Sequence, residues 1–395
     1  MFHFKTDSYK INIMKALATS GGEYSMRSLE FIKPFNRRIM LRNINDLVKQ
    51  KYISVVGKGE FKRIKILKKG MLFLQENLPD YYEYFIVESI NISFRTDAQS
   101  INRRFRFGEI MEIIKNTEIP IRFLHNEKPN LKSDNLYEMK DSDVFFYSSK
   151  EIKQSSFEEH LKIDFTRLIG VLVNKTNIYP IYNLNKSLII WRSQSESKML
   201  FILRKMFFKK FKIPGLDLPT GYKASAIMFG KSYKVCYDLL NMNSGIEAKN
   251  RTYNYEFLSF NNVFDIIHFI SMDEIGIRQL STLLIPEKIN EISINLFNSY
   301  PSLKSEKENI FMNGKMLSEF FDVYNRNNRS IGIQFLDGNI AKIKALRSYI
   351  SLNGEQNEYF IFCNDEQVKF LVDYFIEYKN VKIQKISNTV YVGGG

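Results

Sequence analysis

The sequence is poor in the residues that build metal centres and disulfide frameworks. It holds two cysteines and four histidines in 395 residues. Cys236 and Cys363 are 127 positions apart, a spacing that fits neither a zinc site nor a set of short disulfide loops. The histidines show no His-x-His, His-x-x-x-His or His-Glu pairing. We therefore expect no metal site, no cofactor and two buried cysteines.

Long apolar runs and phosphate-binding glycine motifs are absent too. No stretch of about 18 uncharged apolar residues occurs, and the first residues lack the apolar core of a signal peptide. We expect a cytoplasmic protein with no membrane partner. The lack of a Gly-x-x-x-x-Gly-Lys-Ser/Thr loop and of a Gly-x-Gly-x-x-Gly turn argues against ATP-driven and dinucleotide-dependent functions. With 44% hydrophobic and 25% charged residues, the chain is typical of a globular protein of two or three domains.

Positive charge is concentrated at one end of the chain. The formal net charge is +14. Residues 1–70 hold sixteen Lys and Arg against five Asp and Glu, a net charge of +11, so the other 325 residues share only +3. This asymmetry predicts a module that binds a polyanion, because cationic side chains that neutralise phosphates release counterions. The alternative is a solvated basic surface that serves only solubility.

The order of elements in this basic segment predicts a winged helix-turn-helix. Apolar spacing predicts a helix over 8–20, a short helix from Ser25 that Pro34 ends, and a third helix over 36–51. Two strands around a glycine turn at 57–59 follow, and a fourth helix over 69–85 would close the domain. In winged folds that bind DNA, the third helix enters the major groove and the hairpin lies over the backbone. The same order occurs in winged folds that bind only protein.

The third helix and the hairpin supply the candidate DNA contacts. We predict base contacts for Arg38, Arg42 and Asn45, because Arg pairs with guanine and Asn with adenine through two hydrogen bonds. The candidate phosphate contacts are Arg37, Lys49, Lys58, Lys62, Arg63 and Lys65. Strand alternation predicts that the last two point outward.

A second basic cluster lies in the next predicted helix, over 96–116. Arg103, Arg104 and Arg106 would extend the DNA footprint in one interpretation. In the other, they pair with Glu109 and Glu112 on their own helix.

The rest of the chain predicts two further domains. Strands near 119–124, 143–147, 168–174 and 178–183, a helix over 195–212 and a strand at 225–229 match the order of a restriction-endonuclease-like core. Strands and helices alternate from 331 to 386 and imply parallel crossover units. The expected fold is therefore α/β (α+β), with a winged-helix domain at 1–86, a degenerate nuclease-like domain at 87–245 and a C-terminal α/β domain at 246–395.

Nuclease chemistry has few candidates in this body. A metal-dependent nuclease needs carboxylates on neighbouring strands and a nearby lysine, and the best trio is Asp143, Glu151 and Lys153. Acid-x-Lys triplets recur in the chain and fit surface ion pairs equally well, so the sequence favours a non-catalytic body. A ligand-sensing regulator is a further alternative. Its ligand would lie beyond the carboxyl ends of the last strands, near Asp337, Gly338, Asn364 and Asp365.

The basic stretch at 37–53, together with 147–152, the strands at 168–183 and the segment 225–230, resembles the replication-relaxation group of proteins carried by bacterial plasmids and integrative conjugative elements. The resemblance implies sequence-directed binding of double-stranded DNA in replication, mobilisation or their transcriptional control, with the body used for assembly. Expected partners are DNA, a second copy of the chain, and a relaxase or replication protein. The group has no agreed catalytic motif, so no catalytic residue is carried over.

Overall fold

The protein has a mixed α/β fold. The computed structural model describes residues 8–89, 97–155, 166–185, 193–212, 222–240, 263–264, 266–303, 322–325, 329–353 and 356–386. The chain forms two compact units. The first contains Met1–Lys162, Leu168–Lys175 and Lys205–Leu216, and the second contains Ile163–Arg167, Thr176–Arg204 and Asp217–Gly395. Among the described helices, none combines the length and apolar character needed to cross a lipid bilayer. The division at 1–86, 87–245 and 246–395 stays a prediction.

The first unit begins with helices around a small antiparallel sheet. Its elements are α1 (Ser8–Thr19), β1 (Glu23–Ser25), a 3₁₀ turn (Leu29–Phe31), α2 (Arg37–Lys49), β2 (Ile53–Val56), a second 3₁₀ turn (Gly59–Phe61), β3 (Arg63–Ile66), α3 (Lys68–Asn77) and α4 (Pro79–Ser89). The strand order is β1-β3-β2, and both pairings are antiparallel. Tyr24 lies opposite Ile64, and Ile53 lies opposite Ile66. The predicted first and third helices and both hairpin strands are therefore present.

The apolar faces of these elements form one core. Leu17 of α1, Ile44 and Leu47 of α2, Ile64 of β3 and Phe73 of α3 are at most 1% exposed. Apolar residues recur every three to four positions along α1 and α2, so each helix presents one continuous stripe to the sheet. This packing leaves the opposite face of α2 in solvent.

Two sequence predictions are wrong in this region. No helix starts at Ser25, because residues 23–25 pair with β3 as a strand and the Met26 amide donates to the Lys62 carbonyl (3.0 Å). Only the turn at Leu29–Phe31 remains of the predicted second helix. The predicted fourth helix is two helices, since Pro79 has no amide hydrogen to continue α3 and Leu78 leaves the helical conformation (φ −142°, ψ 61°).

The long helix α5 (Ala98–Lys115) packs against β1. Asp97 caps it by accepting a hydrogen bond from the Ser100 amide (2.9 Å). At Gly108 a Cβ atom would lie 3.1 Å from both the Ser20 Cβ and the Tyr24 ring, so a side chain there would crowd this contact. The helix confirms the prediction for 96–116.

The remaining elements of the first unit are short. They are β4 (Tyr137–Glu138), β5 (Phe145–Ser148), α6 (Ser149–Ser155), β6 (Gly170–Val173) and β8 (Phe211–Lys212). Strands β5 and β6 are antiparallel, and β4 and β8 are parallel. The strand predicted over 119–124 is wrong, because the chain makes only an isolated bridge there, between Arg122 and Phe145. The stacked rings of Phe145 and Phe211 (5.8 Å) join β5 to β8.

The second unit contains parallel strands. Its elements are β7 (Asn177–Asn185), α7 (Ser193–Lys210, up to residue 204 in this unit), β9 (Lys223–Gly230), α8 (Tyr233–Leu240), β10 (Ile266–Ser271), α9 (Glu274–Leu283), α10 (Pro286–Ser299), β11 (Val323–Asn325), β12 (Ser330–Gln334), α11 (Ile340–Asn353), β13 (Glu358–Cys363), α12 (Asp365–Tyr374) and β14 (Val381–Lys385). Strands β7, β9 and β10 run parallel in that order, and so do β12, β13 and β14. The predicted parallel crossover units at 331–386 are confirmed.

Candidate nucleic-acid interface

Helix α2 separates an apolar face from a basic one. Met40, Ile44 and Leu47 are at most 1% exposed. The exposed side chains of the helix include Arg37, Arg38, Arg42, Asn45 and Lys49. Positions 38, 42, 45 and 49 follow the spacing of one helix face, as predicted.

The local sequence fixes where this basic face begins. The Asn36 side chain accepts hydrogen bonds from the backbone amides of Arg38 (3.1 Å) and Ile39 (3.2 Å), so α2 starts at Arg37. Arg37 and Arg38 therefore stand in the first turn. Leu41, 36% exposed, adds an apolar side chain between Arg38 and Arg42.

The connection between β2 and β3 carries two more exposed cations, Lys58 and Lys62. Gly57 makes the turn possible: its φ is +80°, and a Cβ atom there would lie 2.3 Å from the Phe61 carbonyl oxygen. Any other residue would strain the backbone and clash with the turn.

These exposed side chains form what we name the basic face: Arg37, Arg38, Arg42, Asn45, Lys49, Lys58 and Lys62. Within the described residues, none of these side chains makes an ion pair or a hydrogen bond. An exposed cation without a protein partner is available to a phosphate or a base edge.

Two predicted phosphate contacts, Arg63 and Lys65, differ from the basic face because each lies near the Glu23 carboxylate. Strand alternation predicts an outward Arg63, but only 11% of its side chain is exposed, because its Nε donates to the Glu23 carboxylate (3.0 Å). Lys65 Nζ lies 3.9 Å from the same carboxylate, and the Lys65 side chain is 37% exposed. Glu23 itself is 2% exposed. This acid on β1 therefore draws Arg63 inward.

The three arginines of the second basic cluster, Arg103, Arg104 and Arg106, differ in burial. Arg104 donates to the Glu23 carboxylate through Nε (3.1 Å), and its Nη2 lies 3.0 Å from the same carboxylate. Arg103 is exposed and Arg106 is half-buried. Of the acids that α5 offered as partners, Glu109 accepts a hydrogen bond from the Ser28 hydroxyl (2.6 Å). The other, Glu112, pairs with Lys115 (2.5 Å).

The candidate nuclease residues Asp143, Glu151 and Lys153 have different surroundings. Asp143 precedes β5 and accepts hydrogen bonds from the Tyr137 hydroxyl and the Lys140 amide, both at 3.0 Å. Glu151 lies after β5, on α6, and Lys153 is exposed on the same helix. The strand thus separates the two carboxylates along the chain. In the described residues, no group of three His, Cys, Asp or Glu side chains could hold a metal ion.

Glu151 belongs to a buried charge cluster instead. Lys128 Nζ lies 2.7 Å from one of its carboxylate oxygens, and His125 Nδ1 lies 3.1 Å from the same oxygen. Burial works to raise the pKa of Glu151, but the charge of Lys128 and the hydrogen bonds from His125 and Lys128 outweigh it and hold that pKa below its usual value. This cluster satisfies the carboxylate with protein partners.

Glu88 is the second buried acid of this region. Burial and then the charge of Glu151 raise the pKa of Glu88 to about 7, although the Ser148 hydroxyl, 2.6 Å away, donates to its carboxylate. Sequence reasoning missed Glu88, and it also missed Glu23, His125 and Lys128. Their partners lie 18 or more positions away along the chain, so no local spacing marks them.

The residues predicted to lie near a ligand in the second unit, Asp337, Asn364 and Asp365, make hydrogen bonds and an ion pair with neighbouring protein groups. Asn364 and Gln367 form a reciprocal cap at the start of α12, with hydrogen bonds of 3.1 and 2.9 Å. Asp337 accepts a hydrogen bond from the Asn339 amide (3.0 Å) in the turn at Gly338, and Asp365 pairs with Lys385 (2.5 Å). These contacts fit a packing role.

The chain has no recognisable relative in three comparisons: no model of a protein family matches it, and neither does any curated protein or solved structure.

Proposed function

We propose that the protein binds double-stranded DNA through the basic face. The observation that carries this proposal is that seven exposed cationic or amide side chains, on two consecutive elements, have no protein partner in the described residues. A basic segment that served only to balance acids would have its arginines in ion pairs, as Arg63 and Arg104 are with Glu23. Free cations in one segment instead match the chemistry of a phosphate backbone.

The topology of residues 8–66 supports a winged helix-turn-helix. The order α1, β1, 3₁₀ turn, α2, β2, β3 and the sheet order β1-β3-β2 fit such a domain, with the 3₁₀ turn in place of the middle helix. In this proposal α2 enters the major groove and the β2–β3 connection follows the backbone.

The chemistry of α2 suits base recognition. Arg38 and Arg42 each present a forked donor for guanine, and Asn45 presents an amide for adenine. The exposed Leu41 between the two arginines could contact a thymine methyl group. Arg37, Lys49, Lys58 and Lys62 then hold the duplex by its phosphates.

On the resemblance to the replication-relaxation group, we propose that this binding serves the replication, mobilisation or transcriptional control of a bacterial plasmid or conjugative element. A second copy of the chain would read the other half of a two-fold site, since winged domains commonly bind such sites in pairs. In this proposal the body of the protein supplies dimer and partner contacts, not catalysis.

The proposal is tested with duplex DNA of about 30 base pairs, recovered by repeated selection from a random library on the wild-type protein. Binding is followed by fluorescence anisotropy. The double variant Arg38→Ala/Arg42→Ala should bind at least about 30-fold more weakly, since each paired arginine–guanine contact contributes about 1–3 kcal/mol.

The matched control removes two exposed lysines from the second unit, Lys369→Ala/Lys379→Ala, which changes the net charge by the same amount. It should bind within about threefold of wild type. Equal affinities of the two double variants, or a selection that enriches no sequence, would refute base recognition by α2.

A further inference from the structure

A cavity of about 510 Å³ lies within the first unit, between α4, the segment that precedes β4 and helix α6. One face of α4 lines it, through Tyr82, Glu83, Ile86 and Val87. The other walls come from residues between 125 and 132, from Tyr147 on β5 and from α6. The cavity shares no residue with the basic face. Its volume lies in the range of small-molecule sites, about 300–1,000 Å³.

Aromatic and aliphatic side chains form much of the cavity wall. Tyr147 and Leu131 are 1% and 5% exposed, and Ile86 and Val87 on α4 are half-buried. The Tyr147 hydroxyl donates a hydrogen bond to the Pro129 carbonyl (2.9 Å), which fixes the ring in the wall. A large apolar side chain of a ligand would be removed from water against these groups.

The charges of the lining balance one another. Apart from His125, the charged members of the described lining are two acids and two lysines: Glu83, Glu151, Lys128 and Lys132. Lys128 Nζ lies 2.7 Å from the Glu151 carboxylate, so one acid and one lysine pair within the protein. A lining without excess charge of either sign favours a ligand that is neutral or carries one charge of each sign.

The other acid and the other lysine are available to a ligand. Glu83 and Lys132 are exposed, and within the described residues neither side chain makes an ion pair or a hydrogen bond. The exposed amide of Gln154, one turn after Glu151 on α6, has no hydrogen bond in that part of the chain either. A carboxylate and an amine that line one cavity complement the ammonium and carboxylate groups of a zwitterion.

His125 adds a buried acceptor to the lining. Its Nδ1 lies 3.1 Å from the Glu151 carboxylate and donates to it, so in the neutral ring Nε2 keeps its lone pair. Nε2 is buried and has no hydrogen-bond partner among the described residues. The ring stacks on Tyr84, the residue after Glu83 (5.2 Å), which holds it in place. A buried acceptor without a donor is destabilising, and an N–H group of a ligand would satisfy it.

We propose that this cavity binds a free α-amino acid with a large apolar side chain. Glu83 and His125 accept hydrogen bonds from the ammonium group, and Lys132 and the Gln154 amide donate to the carboxylate. The apolar side chain lies against the aromatic and aliphatic wall that includes Tyr147. The site uses no residue of the basic face, so this proposal is independent of duplex binding.

Isothermal titration calorimetry of the full chain with leucine, phenylalanine and tryptophan tests the apolar part of the proposal. The tightest of the three should bind at least about tenfold more tightly than glycine, which has no side chain to bury. Glutamate should bind no more tightly than glycine, because its side chain would bring an unpaired charge to the apolar wall.

Two derivatives of the tightest ligand test recognition of its charged ends. The amide lacks the carboxylate and the N-acetyl form lacks the ammonium group, and each should bind at least about fivefold more weakly than the free amino acid. Lys132→Ala should weaken the free amino acid by a similar factor and leave the amide within about twofold of wild type, since the amide has no carboxylate for Lys132 to hold. Glu83→Gln should likewise weaken the free amino acid and leave the N-acetyl form unchanged.

Two variants outside the lining are the matched controls. Lys140→Ala and Glu76→Gln each change an exposed charge of the first unit and should alter Kd less than about twofold. Because Glu83 and Lys132 are exposed, their variants should fold as wild type does, which far-UV circular dichroism checks.

The proposal is overturned if none of the three apolar amino acids binds saturably, or if glycine binds as tightly as they do. An amide that binds as tightly as the free amino acid would assign the cavity to a peptide N-terminus and overturn the assignment to a free amino acid. Equal losses for the free amino acid and the amide in Lys132→Ala would show that Lys132 does not hold the carboxylate. Arg38→Ala/Arg42→Ala should leave amino-acid affinity unchanged, so failure of the duplex proposal is distinguishable from failure of this one.

Discussion

The basic segment contains two kinds of arginine, and one buried acid accounts for the difference. Arg38 and Arg42 on α2 are exposed and have no protein partner in the described residues. Arg63 on β3 is 11% exposed and pairs with Glu23, which also binds Arg104 from α5. The same residue type thus faces solvent on α2, whereas on β3 it takes part in an ion-pair cluster that also includes α5. Net charge alone does not distinguish the two uses.

The ion pairs at Glu23 also help to hold α5 over β1, one of the two edge strands of the small sheet. Strand β1 is an edge strand in the order β1-β3-β2, and α5 packs against it. The ion pair with Arg104 links Glu23 to α5, and the ion pair with Arg63 links it to β3. A short edge strand covered by a helix has little tendency to pair with another chain.

The largest effect on stability should come from Glu23→Ala. This change removes the carboxylate that the mostly buried guanidinium groups of Arg63 and Arg104 both contact. We expect the free energy of unfolding to fall by about 3 kcal/mol, as is found when one partner of a buried pair is removed. Urea denaturation followed by circular dichroism measures it.

Arg38→Ala is the matched control for this change, since it removes an exposed charge of the same segment. It should alter the free energy of unfolding by less than about 0.5 kcal/mol. If Glu23→Ala were also within about 0.5 kcal/mol of wild type, the two kinds of arginine would be energetically alike and the comparison would fail.

A smaller, pH-dependent effect is expected for Glu88→Gln. The pKa of Glu88 is raised to about 7 in the folded protein. The stability associated with this proton is present below the unfolded pKa and is lost as the pH rises through 7, because the folded protein must then hold a buried charge. Glutamine stays neutral, so the variant should be more stable than wild type at pH 8, by on the order of 1–3 kcal/mol.

The difference should shrink toward zero at pH 5, where wild-type Glu88 is protonated in the folded state. Glu83→Gln, an exposed position on the same helix, is the control and should show no such dependence. Thermal melts at pH 5 and pH 8 provide the comparison. A stabilisation of Glu88→Gln that is equal at both pH values would show that Glu88 does not titrate in this range.

The smallest effect should be that of Arg27→Ala. Arg27 pairs with Glu60 at 4.0 Å, and both side chains are more than 60% exposed. Such exposed pairs contribute little because solvent screens them, so unfolding should change by less than about 0.5 kcal/mol. A loss as large as that of Glu23→Ala would mean that exposed and buried pairs of this segment do not differ in strength.

Regular elements of the fold could be predicted where their pattern is local. Helix α2 has an apolar stripe and a basic stripe at helical spacing, and both faces are where the sequence places them. The C-terminal strands β12, β13 and β14 were also predictable, because short strand-like segments alternate with helical patterns in this part of the chain. Strand β1 was not: three residues are too few to show a period, and only pairing with β3 makes them a strand.

The residues of the candidate site also differ in whether local sequence predicts their surroundings. Exposure of Arg38 and Arg42 follows from their own helix, whereas the burial of Arg63 depends on an acid 40 positions earlier in the chain. The buried cluster at Glu151 likewise joins this acid to Lys128 and His125, which lie 23 and 26 positions earlier, so no local spacing could indicate it. Local sequence patterns therefore predict which face of a helix or strand carries a side chain. They do not predict which charged residue from a distant part of the chain will pair with it.

The salt dependence of duplex binding tests the central claim most directly, namely that the exposed cations contact DNA phosphates. On the selected duplex, log K against log[salt] should be linear for wild type, with a slope of about −3 to −4 for four phosphate contacts. Lys58→Ala/Lys62→Ala should make that slope shallower by about 2, whereas Lys369→Ala/Lys379→Ala should leave it unchanged. A slope that is the same in wild type and both variants would contradict the account.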